Sequence, residues 1–173
     1  MRKKSNIVLI GFMGTGKTSI GRKTAKVLGK GFVDTDILIE ETLSMTIPDI
    51  FKHFGEPFFR QQELKAAIKV SDYKNHVIAT GGGIVTVPKS LNMLRKNAII
   101  IWLKLPFNTI IKRIIKDAGR PLAFDKNDNQ LKALFDSRSR LYAEHCDEIV
   151  ELEGRSIEQA AMQIVEIYEK TAV

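Results

Sequence analysis

The chain has 173 residues, 44% of them hydrophobic, which is enough for one substantial core and too few for two comfortable domains. Its 27 lysines and arginines exceed its 20 aspartates and glutamates, giving a formal net charge of +7 that suits a phosphate-bearing ligand. Nucleic acid would also fit this charge, but no aromatic residues interleave with a basic stripe, so we expect no nucleic-acid partner. We predict a single domain, residues 1–173.

The compartment can be predicted from cysteine use and apolar runs. Cys146 is the only cysteine, which excludes an internal disulfide and a cysteine zinc cluster and suits a reducing cytoplasm. The basic start of the chain resembles a signal peptide, but its apolar run is short and lacks a small-residue cleavage site. The longest other apolar run, residues 98–103, is far below membrane-spanning length. We expect a cytoplasmic monomer with no membrane partner.

The first predicted strand, residues 7–10, leads directly into Gly11-Phe12-Met13-Gly14-Thr15-Gly16-Lys17-Thr18. The spacing G-x-x-x-x-G-K-T lets consecutive backbone N–H groups curl around a phosphate, with Lys17 at the β- and γ-phosphates and the Thr18 hydroxyl at Mg²⁺. The following segment, residues 18–28, is predicted to be a helix whose N-terminus faces the anion. A chance glycine-rich turn is the alternative, but strand, loop and helix occur in the required order.

Strand-length apolar runs alternate with helix-patterned segments along the rest of the chain. The predicted strands are residues 7–10, 31–33, 77–79, 98–103 and 148–152. The predicted helices after the first are residues 37–43, 47–54, 57–71, 88–95, 107–116, 129–145 and 156–171, with Thr46 and Ser156 as caps. This alternation predicts an α/β fold, a five-stranded parallel sheet with helices on both faces.

Residues 117–128 fit neither pattern. The stretch is polar, is broken by glycine and proline, and is longer than an ordinary connection between helices. The sequence therefore assigns residues 117–128 to neither a helix nor a strand.

Two aspartates follow the second predicted strand. Asp34 and Asp36 are two positions apart, so on an extended segment both carboxylates project to the same side. Ligands of α/β sheets gather beyond the carboxyl ends of the strands, where one carboxylate can hold Mg²⁺ and the other can accept a proton from a hydroxyl. Asp36 as a simple cap of the helix from Ile37 is the alternative, but it leaves Asp34 unexplained.

The third predicted strand ends in Thr80-Gly81-Gly82-Gly83. Three glycines in a row predict that another group lies close to this backbone. The alternative is an ordinary flexible turn. No acidic residue ends this strand, where many phosphate-loop proteins place a Mg²⁺-binding aspartate, so Asp34 is the candidate for that role. Arg60, Arg120 and Arg138 stand near breakers or loops, and arginine suits carboxylates and phosphates.

The whole chain resembles the shikimate kinase family, small P-loop kinases that phosphorylate the 3-hydroxyl of shikimate with ATP. Six motifs carry this resemblance in order: G-F-M-G-T-G-K-T, F-V-D-T-D, F-F-R-x-x-E (residues 58–63), T-G-G-G, G-R-P-L (residues 119–122) and R-x-x-x-Y (residues 138–142). The resemblance implies a P-loop NTPase-type three-layer sandwich, a mobile lid at about residues 117–128, a substrate-binding helical segment at about residues 36–62, and a product, shikimate 3-phosphate, on the way to chorismate and the aromatic amino acids.

The resemblance also implies a role for each matching residue. Asp36 would bind the shikimate hydroxyls where a general base would act, and Asp34 and Thr18 would support one Mg²⁺ ion. Arg60 and Arg138 would hold the substrate carboxylate, and Gly81, Gly82 and Gly83 would let the ring lie against the backbone. Nucleotide contacts would come from Gly14, Thr15, Gly16, Lys17, Thr18, Ser19, Arg113 and Arg120. Among these, Arg113 would flank the adenine, and Arg120 would come from the lid to meet the transferring phosphate.

Two alternatives remain. One is another small-metabolite kinase of the same architecture, acting on gluconate or a nucleoside monophosphate. Two arginines for one carboxylate, beside an aspartate for hydroxyls, favour a polyhydroxylated acid instead. The other is a nucleotide-dependent binding module that phosphorylates nothing, and a base beside the γ-phosphate argues against it.

Overall fold

The computed structural model describes residues 4–116 and 128–171 of the chain. Its strands are β1 Asn6–Ile10, β2 Gly31–Asp34, β3 His76–Ala79, β4 Ala98–Lys104 and β5 Glu148–Glu151. All neighbours pair in parallel, in the order β2-β3-β1-β4-β5, so the predicted five-stranded parallel sheet is confirmed.

Helices occupy both faces of the sheet. They are α1 Lys17–Leu28, α2 Thr35–Leu43, α3 Ile47–Ser71, α4 Pro88–Arg95, α5 Phe107–Lys116, α6 Asp128–His145 and α7 Ile157–Thr171, with a short 3-10 turn at Ile84–Thr86. Helix α1 packs against α7, and α3 packs against α4. The predicted three-layer sandwich is confirmed. In the part of the chain described above, no helix has the length and apolarity needed to cross a bilayer.

The main core is organised around the central strand β1. All five of its residues are buried, because strands flank it on both sides and helices cover both faces. This is why residues 7–10 of β1 form an apolar run and do not alternate. A second, smaller cluster lies between α2 and α3, centred on Ile39, Ile50, Phe59 and Ala66.

Strand register brings three chemically interesting segments to one edge of the sheet. Ala79 of β3 pairs with Asp34 of β2 on one side and with Leu9 of β1 on the other. The phosphate-loop sequence after β1, the aspartates after β2 and the glycines after β3 therefore emerge side by side at the carboxyl ends of the strands.

The start of α2 corrects a prediction about the two aspartates. The helix begins at Thr35 and its cap is Asp34, whose Oδ1 accepts from the backbone N–H groups of Asp36 at 3.0 Å and Ile37 at 3.5 Å. Asp36 is therefore in the first helical turn. The extended backbone predicted over Asp34 and Asp36 does not occur, and neither does the alternative, a cap at Asp36, although both side chains line the same cavity. The predicted caps Thr46 and Ser156 are confirmed, since their hydroxyls accept from Asp49 N and Gln159 N.

Helix α3 contains a break that the sequence predicted as the gap between two helices. Gly55 has φ 76° and ψ 174°, a conformation essentially restricted to glycine, and the helical residues before and after it form two differently directed segments. A Cβ at Gly55 would have room, since its nearest neighbour would be Pro57 Cδ at 3.7 Å. The restriction at Gly55 is therefore one of backbone conformation.

We expect Gly55→Ala to lower the free energy of unfolding by about 3 kcal/mol, because alanine must adopt a backbone region that only glycine occupies readily. Gly29→Ala is the matched control: Gly29 ends α1 at φ 62°, and an added Cβ there meets nothing within 4 Å. An ordinary left-handed residue costs only about 1 kcal/mol. Urea unfolding of both variants measures the difference, and equal losses would contradict a special strain at Gly55.

Candidate active site

The loop between β1 and α1 has the backbone of a phosphate cradle. Gly11, Gly14 and Gly16 all have positive φ angles, and Gly16 caps the N-terminus of α1. Lys17 Nζ lies over this loop, 2.7 Å from the Gly11 carbonyl oxygen and 2.9 Å from that of Phe12. The backbone N–H groups of the first turn of α1 and the lysine charge thus face the same cavity, which is the arrangement that binds a phosphate.

Two of the predicted nucleotide-binding residues support the loop from outside the cavity. Thr15 is buried, and its hydroxyl donates to the Phe12 carbonyl oxygen at 2.8 Å. Arg113, exposed on α5, donates from Nη1 to the Gly14 carbonyl oxygen at 3.2 Å. Gly14, Gly16, Lys17, Thr18 and Ser19 line the cavity itself.

Thr18 and Asp34 form a pair of oxygen donors beside the loop. The Thr18 hydroxyl donates to Asp34 Oδ2 at 2.6 Å, and both residues line the cavity. Hydroxyl and carboxylate oxygens are the ligands that Mg²⁺ uses, with water and phosphate completing its octahedron. The described residues contain no cluster of three or more His, Cys, Asp or Glu side chains that could hold a metal by themselves, so an ion here would depend on phosphate and water. The donor set fits Mg²⁺.

Asp36 is a carboxylate whose acidity is strongly perturbed. Its Oδ1 is shielded from solvent and has no hydrogen-bond partner among the described residues. Burial raises the pKa of Asp36 from 3.8 to about 7, the negative charges of Glu63 and Asp34 add to the rise, and Lys17 opposes it. Near neutral pH this side chain can therefore hold or release a proton.

Arg60 and Glu63 form an ion pair in the wall of the cavity. Arg60 Nη1 donates to Glu63 Oε2 at 2.5 Å, and the Glu63 side chain has no solvent exposure. Arg60 Nε and Nη2 also donate to Glu56 Oε1 at 3.1 and 2.7 Å. Burial raises the pKa of Glu63 despite its pairing with Arg60. Burial works against the charged form of Arg60, but the two carboxylates outweigh it and raise the pKa of Arg60.

Arg138 reaches the same wall from α6. The residue is only 4% exposed, its guanidinium lies 5.7 Å from the Phe12 ring centroid, and its Nε has no partner among the described residues. Burial lowers the pKa of Arg138. One turn further on, Tyr142 is fully buried and donates its hydroxyl to the Gly82 carbonyl oxygen at 2.5 Å. Helix α6 thus carries both a buried cation and an anchor for the glycine segment.

At two of the three glycines, Gly81 and Gly83, the protein's own charged side chains lie against the backbone. A Cβ on Gly81 would lie 2.6 Å from Asp36 Oδ1 and 2.7 Å from Glu63 Oε1, and a Cβ on Gly83 would overlap the Arg60 guanidinium. The expected close approach therefore occurs, but at Gly81 and Gly83 the approaching groups are Asp36, Glu63 and Arg60. A bound ring is not required to explain these two glycines.

Together these residues enclose one cavity of about 400 Å³. The site residues predicted from the sequence that line this cavity are Gly14, Gly16, Lys17, Thr18, Ser19, Asp34, Asp36, Arg60, Gly81, Gly82, Gly83 and Arg138. Ile47, Phe51 and Phe59 add an apolar wall from α3. The predicted site residue Arg120 and residues 117–127 of the predicted lid lie outside the described residues.

Sequence reasoning assigned no role to Glu56, Glu63 or Tyr142. Glu63 and Tyr142 were visible only as letters of the motifs F-F-R-x-x-E and R-x-x-x-Y. Their spacing to the arginine, three residues for Glu63 and four for Tyr142, places them on the same helix face as that arginine and was the available signal. That Glu63 is fully buried could not be read from spacing.

Comparison with known proteins agrees with this geometry. The shikimate kinase family model matches residues 13–169. A shikimate kinase of Caldanaerobacter subterraneus subsp. tengcongensis is 42% identical over 166 residues, covering 95% of this chain and 96% of that protein. A shikimate kinase of Thermodesulfovibrio yellowstonii is also 42% identical, with 95% of each chain covered.

Solved structures give the same result. Shikimate kinase from Acinetobacter baumannii in complex with shikimate superposes with a TM-score of 0.90 at 33% identity, covering 96% of this chain and 93% of that chain. Shikimate kinase from Aquifex aeolicus gives 0.82 at 30% identity, with coverage of 96% and 98%. The resemblance inferred from the six motifs is confirmed, and the chain belongs to the shikimate kinase family, phosphotransferases that use ATP to phosphorylate an alcohol group of shikimate.

Proposed function

We propose that this protein transfers the γ-phosphoryl group of ATP to the 3-hydroxyl of shikimate, giving shikimate 3-phosphate and ADP. One observation carries the proposal: a phosphate-type loop with Lys17, the carboxylate of Asp36 and the guanidinium groups of Arg60 and Arg138 all line one cavity. A triphosphate at the loop and a hydroxylated acid at the arginines would meet beside Asp36.

Positioning and charge neutralisation are the main demands of phosphoryl transfer. The N–H groups at the start of α1 would bind the phosphates, and Lys17 would stabilise charge that grows on the transferring group. Thr18 and Asp34 would hold Mg²⁺, which supplies further positive charge to the phosphate oxygens when it is bound.

Asp36 would bind the acceptor hydroxyl. Its pKa of about 7 suits a group that accepts a proton near neutral pH, and its unpartnered Oδ1 offers an acceptor for that hydroxyl. A loose transition state makes early deprotonation unnecessary, so Asp36 would orient the hydroxyl first and take its proton as the new P–O bond forms.

Arg60 and Arg138 would hold the acceptor's carboxylate. Both guanidinium groups are largely withdrawn from water, which strengthens a charge-assisted hydrogen bond to a carboxylate. Contact of the acceptor with Gly81, Gly82 and Gly83, and contact of Arg113 and Arg120 with the nucleotide, remain part of the proposal. So do closure of residues 117–128 as a lid, a cytoplasmic location and activity as a monomer. A cavity lined by residues of one chain supports the last of these.

The direct test offers shikimate, gluconate and nucleoside monophosphates in parallel to the purified protein with ATP and Mg²⁺, and follows ADP release. We expect turnover with shikimate and little above background with the others. Omission of Mg²⁺ with added chelator should abolish turnover, because the charge on the phosphates then lacks its main counter-ion. Preferred turnover of another acceptor would overturn the assignment of the substrate.

We expect Asp36→Asn to lower kcat by about 10²–10⁴-fold, the range for loss of a positioned proton acceptor, while the dissociation constant for ATP changes little. Single-turnover kinetics and a nucleotide-binding titration measure the two quantities separately. Undiminished turnover would remove Asp36 from this role.

Asp36 also predicts a pH dependence of stability. Its pKa is about 7 in the folded protein against 3.8 ordinarily, so the folded state binds more protons than the unfolded state between these values. Stability therefore falls as pH rises from about 4 to 7, and Asp36→Asn removes this loss. In urea unfolding at several pH values, the free energy of unfolding of the variant should rise relative to that of the wild type up to about pH 7. Above that pH the difference should stay constant. A difference independent of pH would contradict the raised pKa.

Arg138→Ala should raise KM for shikimate by about 10- to 100-fold, the equivalent of roughly 1.5–3 kcal/mol for a lost hydrogen bond to a charged group. The KM for ATP should change much less. Arg140→Ala is the matched control, since Arg140 is exposed on the same helix two residues away and does not line the cavity. An unchanged KM for shikimate in Arg138→Ala would mean that the carboxylate binds elsewhere.

A further inference from the structure

The guanidinium of Arg60 is held by carboxylates from two different environments. Glu63, which lines the cavity, is completely buried and accepts from Nη1. Glu56 does not line the cavity, has a side chain that is 54% exposed, and accepts from both Nε and Nη2 with its single atom Oε1. Glu56 thus accepts two hydrogen bonds from Arg60 while lying outside the lining of the cavity.

These contacts use some of the N–H donors of the Arg60 guanidinium and leave others for a ligand. A guanidinium has five N–H groups. Nε donates one, Nη2 one and Nη1 one to the two glutamates, so with respect to the described residues one N–H remains on each terminal nitrogen. The group is also packed against the Gly83 backbone, where even a methyl group would overlap it. Its orientation is therefore fixed on three sides.

We infer that Glu56 is a positioning residue for acceptor binding: it immobilises Arg60 so that the two remaining N–H groups are held ready for the acceptor's carboxylate. This inference rests on the proposed function, in which that carboxylate binds Arg60. An arginine side chain has many rotamers, and fixing it before the ligand arrives removes that entropy cost from binding.

The break at Gly55 places Glu56 where it can do this. The second segment of α3 begins directly after Gly55, so Glu56 is in its first turn and Arg60 follows one turn later on the same face. An acid in a first turn also stabilises a helix through the helix dipole. A test must therefore separate acceptor binding from stability.

If Glu56 instead competed with the acceptor for Arg60, its carboxylate would have to lie in a different place. A competitor would occupy the space that the acceptor needs, whereas Glu56 lies outside the lining of the cavity. Because its carboxylate is more than half exposed, solvent also screens its repulsion of an anion within the cavity.

The experiment compares Glu56→Ala, Glu56→Gln and the control Asp136→Ala. Asp136 forms an exposed ion pair with Lys132 at the same four-residue spacing, on α6 and outside the cavity lining. We expect Glu56→Ala to raise KM for shikimate by about 5- to 10-fold, with kcat and the KM for ATP within about twofold of wild type. The KM for shikimate in Glu56→Gln should be close to that of the wild type, since the amide oxygen of glutamine can still accept from Nε and Nη2. The control should change none of these constants.

A second acceptor isolates the carboxylate. With the methyl ester of shikimate, which lacks the charge that Arg60 would bind, wild type and Glu56→Ala should have the same KM within about twofold. Thermal unfolding of each variant reports any separate loss of helix stability.

Two results would overturn the inference. An unchanged KM for shikimate in Glu56→Ala would reduce Glu56 to a helix-stabilising residue, and a lowered KM would make it a competitor. Failure of the proposed function has a different signature: the wild type itself would prefer another acceptor. The same variants, assayed with a preferred acceptor that bears a carboxylate, would then still test Glu56.

Discussion

The site depends on holding Arg60 and Glu63 as a buried ion pair against a backbone without side chains. Removing two charges from water is costly unless they contact each other closely and their remaining groups are satisfied. Their separation of 2.5 Å meets the first condition. The second is met in part: Glu56 accepts from two further N–H groups of Arg60, whereas Glu63 Oε1 is buried without a partner among the described residues. Gly81 and Gly83 are the positions where any larger residue would push the pair apart. Sheet register brings these glycines to the cavity. The position of the ion pair therefore depends on the glycines, and the position of the glycines depends on the fold.

Much of this fold follows from local patterns in the sequence. Strand and helix types were predictable because each strand is a short apolar run and most helices have recognisable starts, as at Thr46 and Ser156. The phosphate loop was predictable because its chemistry is carried by backbone and needs glycine at set spacings. The gap at Gly55 was visible as a glycine and a proline between two helical patterns, although the direction of the second segment was not.

The parts that could not be predicted concern burial and competition between similar groups. Asp36 was the only aspartate considered as a cap of α2, yet Asp34 caps it, because the position of the cap depends on where β2 ends, a property of the β2–β3 register. Gly81 and Gly83 were expected to face a ligand, but the side chains that meet them come from α2 and α3, which are distant in sequence. The pKa of Asp36 likewise depends on Glu63, a residue 27 positions away that only the folded chain brings near.

Charge balance in the cavity shows why an enzyme with a net charge of +7 still needs additional cations at its site. Among the described lining residues, the cations Lys17, Arg60 and Arg138 face carboxylates of Asp34, Asp36, Glu40 and Glu63. Each cation already has a nearby negative charge or carbonyl oxygen, so the lining offers little net positive charge to a triphosphate and a carboxylate arriving together. Neutralisation must then come with the substrates or from outside this lining, which supports the proposed Mg²⁺ ion beside Thr18 and Asp34. A raised pKa at Asp36 acts in the same direction, because a neutral Asp36 removes one repulsive charge from the lining.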